Sequence, residues 1–266
     1  MNYLITTGWW CNDKENLDRS KSFGDDTIRG KDFHQLWYSA IRATGSKANI
    51  YIIDSASPVK PEINEGESLI SLVQNFGHST VCNYKLCGVT RAHILGMNLA
   101  LLNEYDYWVY IEQDALVYGK GFIENAIKSM KGNMAFGNGK GTAYPAQQSF
   151  MIIKKESLSV FINRLHSIKS SDKEISPEMK FCIASSQTLS IIPEILFKIS
   201  ERRGILGKSI RLITHSLIKA LRGFEYIPYG YGRTRPINFN DDFFYFQHGS
   251  HDEIGEFLEA SKCKAK

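Results

Sequence analysis

Tyr107-Trp108-Val109-Tyr110-Ile111-Glu112-Gln113-Asp114 is the stretch that decides the fold. Its first five residues are aromatic or β-branched with no polar interruption, which fits a strand buried on both faces, and such strands belong to largely parallel sheets. The run ends in acid, where a strand leaves the sheet and open α/β proteins build their ligand crevice. Working outward, residues 89–102 place Ile94, Met97, Ala100 and Leu101 on one apolar face of a helix that feeds this strand. Residues 3–7 read as a first buried strand closed by Gly8, residues 33–43 as a helix and residues 48–54 as a second strand, which makes a β-α-β unit.

Between these elements, residues 11–31 carry many charges without periodicity and read as a loop over the end of the first strand. Residues 68–76 are expected to be a helix and residues 80–82 a short strand. Downstream, residues 121–130, 156–168 and 177–185 have helical spacing, while residues 134–136, 148–153 and 243–246 read as strands. Residues 191–221 look helical, with interruptions at Gly204 and Gly207. The alternation predicts an α/β fold: a mostly parallel central sheet flanked by helices, with a basic helical insertion in the C-terminal third. One domain spans 1–266, its halves 1–118 and 119–266, the second including the insertion at about 191–222.

Composition narrows the function classes. With 266 residues, 43% hydrophobic and 12% aromatic, the chain can bury a sizeable core, which excludes disordered, collagenous and disulfide-scaffold classes. A net charge of +4 is too dilute for a dedicated nucleic-acid binder. Five scattered cysteines and an N-terminus without a basic, apolar leader predict a reduced, cytoplasmic protein. No run approaches the ~18 uninterrupted apolar residues of a membrane span. Cys82 and Cys87 have no second Cys/His pair at zinc-ligand spacing. Gly137-Asn138-Gly139-Lys140-Gly141-Thr142 lacks the G-K-[ST] of a phosphate loop, and Gly8 is alone after the first strand, which argues against a dinucleotide site.

Three segments carry a resemblance in order and spacing. Ile52-Ile53-Asp54-Ser55-Ala56-Ser57 is similar to the second-strand V-D-D-G-S of GT-A-fold glycosyltransferases, especially the family-2-like bacterial and viral enzymes. Gly88-Val89-Thr90-Arg91-Ala92-His93-Ile94-Leu95-Gly96 is similar to their G-x-x-x-A-R-N-x-G helix, and Tyr110-Ile111-Glu112-Gln113-Asp114-Ala115 to their D-x-D strand end, with Glu in place of the first Asp. The agreement covers residues 3–154; the later half matches loosely through Gln147 to Ile152, the helix start Pro177-Glu178 and His248. Strand two has one Asp followed by Ser-Ala-Ser, and the arginine precedes Ala92 instead of following an Ala.

The resemblance implies a nucleotide-diphosphate-sugar donor and a divalent cation, Mn²⁺ or Mg²⁺, bound by Asp114 with Glu112 and His248. It also implies donor contacts from Thr6, Asp54, Arg91, Glu112, Gln113 and Gln148, and from Arg233 and Arg235 in the Gly/Tyr-rich loop 229–236. Glu178, in a first helical turn after Pro177, is the candidate general base beside Asp114 as the other catalytic residue. Each has a plain alternative: Asp54 as a turn residue, Arg91 as a surface arginine, Glu178 as a helix-start acid, His248 as a structural histidine.

From Lys198 to Arg222 the chain holds seven Lys or Arg residues against Glu201, with Ile210, Ile213, Leu217, Ile218 and Leu221 at helical spacing. That pattern fits either a helix on an anionic membrane or an ordinary amphipathic helix packed on the domain. The whole predicts a glycosyltransferase acting on a glycan or lipid-linked glycan in surface polysaccharide biosynthesis, at the inner face of the membrane. Two alternatives stay open: a sugar-1-phosphate nucleotidyltransferase, and a non-catalytic module binding a nucleotide sugar or a membrane.

Overall fold

In a computed structural model, which describes residues 1–12, 24–202 and 204–263, Tyr107–Ile111 forms β4 at the middle of a seven-stranded sheet. Trp108 and Tyr110 pack on one face and Val109 and Ile111 on the other, all four fully buried. Burial on both sides is why the run is apolar throughout rather than alternating.

The strands β1 (Tyr3–Trp9), β2 (Ile50–Asp54), β3 (Glu67–Ser71), β4, β6 (Met134–Asn138), β7 (Ala146–Lys154) and β8 (Glu225–Tyr226) pair in the order β3-β2-β1-β4-β7-β6-β8. Six point the same way and β7 alone runs against them. One face is covered by α1 (Phe33–Ala43), α3 (Phe122–Ser129) and a hairpin-like pair of β5 (Ala115–Tyr118) with β9 (Phe244–Gln247). The other face is covered by α2 (Gly88–Leu102), α4 (Lys155–Ser167) and α5 (Pro177–Ser185). The short α6 (Gln187–Ser190) leads into α7 (Glu194–Ser200), which packs against α8 (Ile205–Leu221), and α9 (His251–Cys263) follows the sheet. The result is the mostly parallel α/β sandwich expected from the sequence, with the basic helices in its C-terminal third.

Four expectations need correction. Residues 68–76 are not a helix: β3 takes the free edge of β2, pairing Glu67 with Ile50 and Ser71 with Asp54. Glu67 is buried there against His34 of α1 at 3.1 Å and also accepts from the Asn64 backbone at 2.8 Å, so edge pairing and a tertiary ion pair override a spacing compatible with a helix. Residues 80–82 form a turn, closed by Val81 N–H to the His78 carbonyl, rather than a strand. Gly207 does not interrupt the helix but lies buried inside α8; of the two glycines only Gly204, with φ +105°, falls in the break between α7 and α8. Finally, β1 continues through Gly8 to Trp9, and β5, β8 and α9 were not foreseen.

Of the charged loop 11–31, residues 13–23 lie outside the described residues. In the described part, Asp25 caps a 3-10 turn over Asp26–Arg29 that delivers Arg29 to the interior.

Buried charge pins the second face. Lys180 on α5 is fully buried and donates to Asp172 (2.6 Å) and to the Ser170 carbonyl (2.6 Å). Asp172 in turn accepts from the Cys87 amide and the Thr90 hydroxyl, both at 2.7 Å, which caps the start of α2. This fixes the end of α2 that faces the carboxyl edge of the sheet. Cys11, Cys82, Cys87 and Cys182 are buried and form no disulfide among the described residues.

Candidate active site

A cleft opens where β1, β2 and β4 end together. Gly8, Trp9 and Trp10 form one wall, Ile53 and Ser55 a second, Gly88 and Val89 of α2 a third, and Tyr110 with Glu112, Gln113 and Asp114 the floor. Gly88 packs closely on Ser55: a Cβ there would stand 2.5 Å from the Ser55 hydroxyl oxygen, which would have to turn away. The Tyr110 hydroxyl accepts from the Gly8 amide at 3.3 Å, and burial raises its pKa well above the ordinary value.

Asp114 is the centre of the charge network. One carboxylate oxygen meets Arg29 at 3.0 Å and His248 Nε2 at 3.3 Å; the other accepts from Gln247 Nε2 at 3.1 Å. The same Gln247 nitrogen donates to Glu112 at 2.6 Å, so one amide ties both strand-end carboxylates together. Burial alone would raise the Asp114 pKa, but His248, Arg29 and Gln247 outweigh it and hold the carboxyl well below the usual range. Burial pulls His248 below its ordinary value, against the opposing influence of Asp114. His248 has φ +58°, a left-handed conformation uncommon outside glycine, and it brings the imidazole onto Asp114.

Gln113 does not point at a ligand. Its amide pairs with both backbone groups of Trp10, accepting at 2.8 Å and donating at 3.1 Å, and so fixes Trp10 at the cleft wall.

A second, smaller recess adjoins the first through Gln247. It is lined by Glu178, Gln148, Tyr144 and Arg233, three of which were singled out in the sequence. Arg233 donates to the Gln247 side-chain oxygen at 3.2 Å, so Gln247 links the recess to Glu112 and Asp114. Burial raises the Glu178 pKa, although its own backbone amide and Arg233 act in the opposite direction. The Gln148 side-chain oxygen is buried with no hydrogen-bond partner.

The remaining sequence candidates are not brought to the cleft. Thr6 is fully buried and accepts from the Trp108 indole at 2.8 Å. Asp54 is fully buried and is claimed by its own turn: it accepts from the Ser57 amide (2.9 Å), the Ser71 hydroxyl (2.8 Å) and Lys60. Arg91 donates to the Leu86 carbonyl and lies over the Phe76 ring, 3.6 Å from its centroid. Arg235 braces the loop after β8 by donating to the Gln247 carbonyl and pairing with Glu253. In each case the polar group satisfies a fold contact first, because buried polar atoms cost free energy when left unpaired.

Glu112, Asp114 and His248, the residues the resemblance assigns to a cation, lie close together. As arranged, however, they do not form a cation site, and among the described residues no group of three His, Cys, Asp or Glu side chains could hold a metal ion. Both Asp114 oxygens are taken by donors and the guanidinium of Arg29 supplies the positive charge there. Arg29 and Gln247 were missed in the sequence. Gln247 adjoins His248 and could have been found from it, whereas nothing in the charged loop marked Arg29.

No family model and no curated protein matches this chain. Among solved structures, it is similar to the glycosyltransferase GlyE of Streptococcus pneumoniae TIGR4, at 12% identity over 98% of this chain and 60% of that one, with a TM-score of 0.45. Similarity of the same order links it to the mannosyltransferase PcManGT of Pyrobaculum calidifontis in complex with GDP-Man and Mn²⁺, at 10% identity over 82% and 74% of the two chains, with a TM-score of 0.42. A third is a glycosyltransferase involved in glycosylation of the major capsid of PBCV-1, at 11% identity over 98% and 100%, with a TM-score of 0.41. The chain thus spans about three fifths of the length of the first.

Proposed function

We propose that the protein is a glycosyltransferase that moves a sugar from a nucleoside-diphosphate donor to a glycan hydroxyl. One observation carries this reading: Gln247 joins the carboxylates at the end of the central strand to Arg233 and the Glu178 recess, so an aromatic-walled cleft and a carboxylate-bearing recess share one network. Trp10, half-buried at the cleft wall, offers flat apolar surface to a base or sugar, and Glu112 offers an acceptor for sugar hydroxyls. Arg29 and Arg233 offer guanidinium groups, which suit phosphate oxygens better than a single ammonium does.

In this reading the donor lies in the cleft and the acceptor in the Glu178 recess. The acceptor oxygen attacks the anomeric carbon, its proton passes to Glu178, and the bond to the diphosphate oxygen breaks. Charge developing on the departing diphosphate is met by arginine, which is electrostatic stabilisation of a leaving group by fixed donors. Burial raises the Glu178 pKa, which makes its carboxylate a stronger base for that proton. Arg29 holds the Asp114 oxygen that a Mn²⁺ or Mg²⁺ ion would take, so charge on the departing diphosphate is met by the arginines.

The test is a melting-temperature shift against UDP-, GDP-, TDP- and CMP-sugars, followed by donor-hydrolysis and transfer assays with the nucleotide that shifts it. A shift with one nucleotide and turnover lost in Glu178→Gln supports the reading. Binding without turnover would assign the chain to the non-catalytic alternative, and no binding at all would refute the donor site.

A further inference from the structure

The apolar side of the helix α8 is wider than the part the fold buries. Gly207, Thr214 and Ile218 are buried against the domain. On the opposite side Ile205, Leu206, Leu212 and Ile213 are 86%, 65%, 73% and 52% exposed. With 3.6 residues per turn, these four fall with Ser209, Ser216 and Ala220 in one arc of roughly 120°. An ordinary surface helix carries polar residues there.

Between the buried arc and the exposed apolar arc lies a basic strip, formed by Lys208, Arg211, His215, Lys219 and Arg222. The segment from Ile205 to Arg222 contains four Lys or Arg residues and no Asp or Glu. Among the described residues it takes part in no salt bridge. Arg211 and Arg222 are steadied within the fold, the first by the Ser200 carbonyl at 2.9 Å and the second over the Tyr226 ring at 4.2 Å, and the two lysines are exposed.

We infer that α8 is an interfacial helix that seats the protein on an anionic bilayer, with Leu212 and Ile205 entering the acyl boundary and Lys208 and Lys219 meeting lipid phosphates. An apolar arc beside a purely basic strip is complementary to a surface that is apolar below and negatively charged above. A protein partner of mixed charge would not need the absence of every acid. No helix among the described residues is long and apolar enough to cross a membrane, so the contact is peripheral. This inference does not depend on the transferase reading.

The experiment is co-sedimentation of the full chain with phosphatidylcholine vesicles, with and without phosphatidylserine, at low and high salt. At least ~10-fold tighter binding to the serine-containing vesicles, lost at high salt, is expected. Ile205→Ser with Leu212→Ser, and separately Lys208→Glu with Lys219→Glu, should each weaken binding ~10-fold or more while the melting temperature holds, because all four side chains are exposed. Equal binding to both vesicle types, or variants that bind like the parent, would overturn the proposal. So would a concentration-dependent dimer abolished by the Ile205→Ser, Leu212→Ser variant, which would assign the face to a second copy.

Discussion

Arg29 and Asp114, 85 positions apart in the chain, meet at 3.0 Å with both side chains buried at the floor of the cleft. A permanent cation therefore stands beside the strand-end carboxylate. Arg29→Ala should weaken nucleotide-diphosphate binding by about 10- to 100-fold, the value of one charge-assisted contact, and make the residual binding respond to Mn²⁺ through the freed carboxylate. Calorimetric titration with and without Mn²⁺ or chelator checks both parts. A parent protein whose binding collapses on chelation would show that Arg29 yields its place to a cation.

The Gln247 amide is the shared donor for Glu112 and Asp114. Gln247→Glu replaces that donor by a third carboxylate, and like charges at hydrogen-bond distance are strongly unfavourable. Donor binding should fall by more than ~10-fold and the melting temperature by several degrees, recovering partly below the carboxylate pKa range. Thermal denaturation as a function of pH reads this directly.

Glu178→Gln keeps shape and removes the base. Turnover should fall about 10²- to 10⁴-fold with donor affinity nearly unchanged, since the recess lies beside the donor cleft rather than in it. Loss of affinity with unchanged turnover would place Glu178 on the donor instead.

Lys180 and Asp172 form a fully buried pair. Lys180→Met strands a carboxylate in the interior, and breaking a buried pair on one side costs about 3–5 kcal/mol. The double variant Lys180→Met, Asp172→Asn should recover part of that loss in a denaturant melt. Full recovery is not expected, because Asp172 also caps α2 through Cys87 and Thr90.

His93 is buried against Tyr110, with ring centroids 3.8 Å apart, and its Nδ1 donates to the Val89 carbonyl at 2.7 Å. Burial pushes its pKa down to about 4. Between that value and its ordinary 6.5 the unfolded chain binds a proton that the folded one refuses, so stability rises with pH across this window and is lost as pH falls. His93→Phe removes this contribution: the difference in stability between parent and variant should shift by up to ~3 kcal/mol from pH 7 to pH 4, in favour of the variant at low pH.

The sequence by itself determined the layered α/β fold. The aromatic run at residues 107–111 can only be buried on both faces, and the helices at 33–43 and 89–102 declare themselves by apolar spacing, because these signals are local and periodic. It also placed Glu112, Asp114, Gln148, Glu178, Arg233 and His248 on the right elements, since strand ends and helix starts are themselves local features. What only the tertiary structure decided is which of those groups are available. Asp54, Thr6, Arg91 and Arg235 look like ligand contacts in one dimension, but each is satisfied by a neighbour distant in sequence or across a turn. Conversely, Arg29 carries no motif and meets Asp114 only through the three-dimensional placement of the 3-10 turn Asp26–Arg29. The same holds for β3, where edge pairing and the His34 contact outweigh helical spacing, and for the exposed apolar arc of α8, whose exposure depends on how the helix is rolled against the domain. Desolvation and charge pairing depend on the neighbours assembled in three dimensions, and those neighbours cannot be read from residue spacing along one segment.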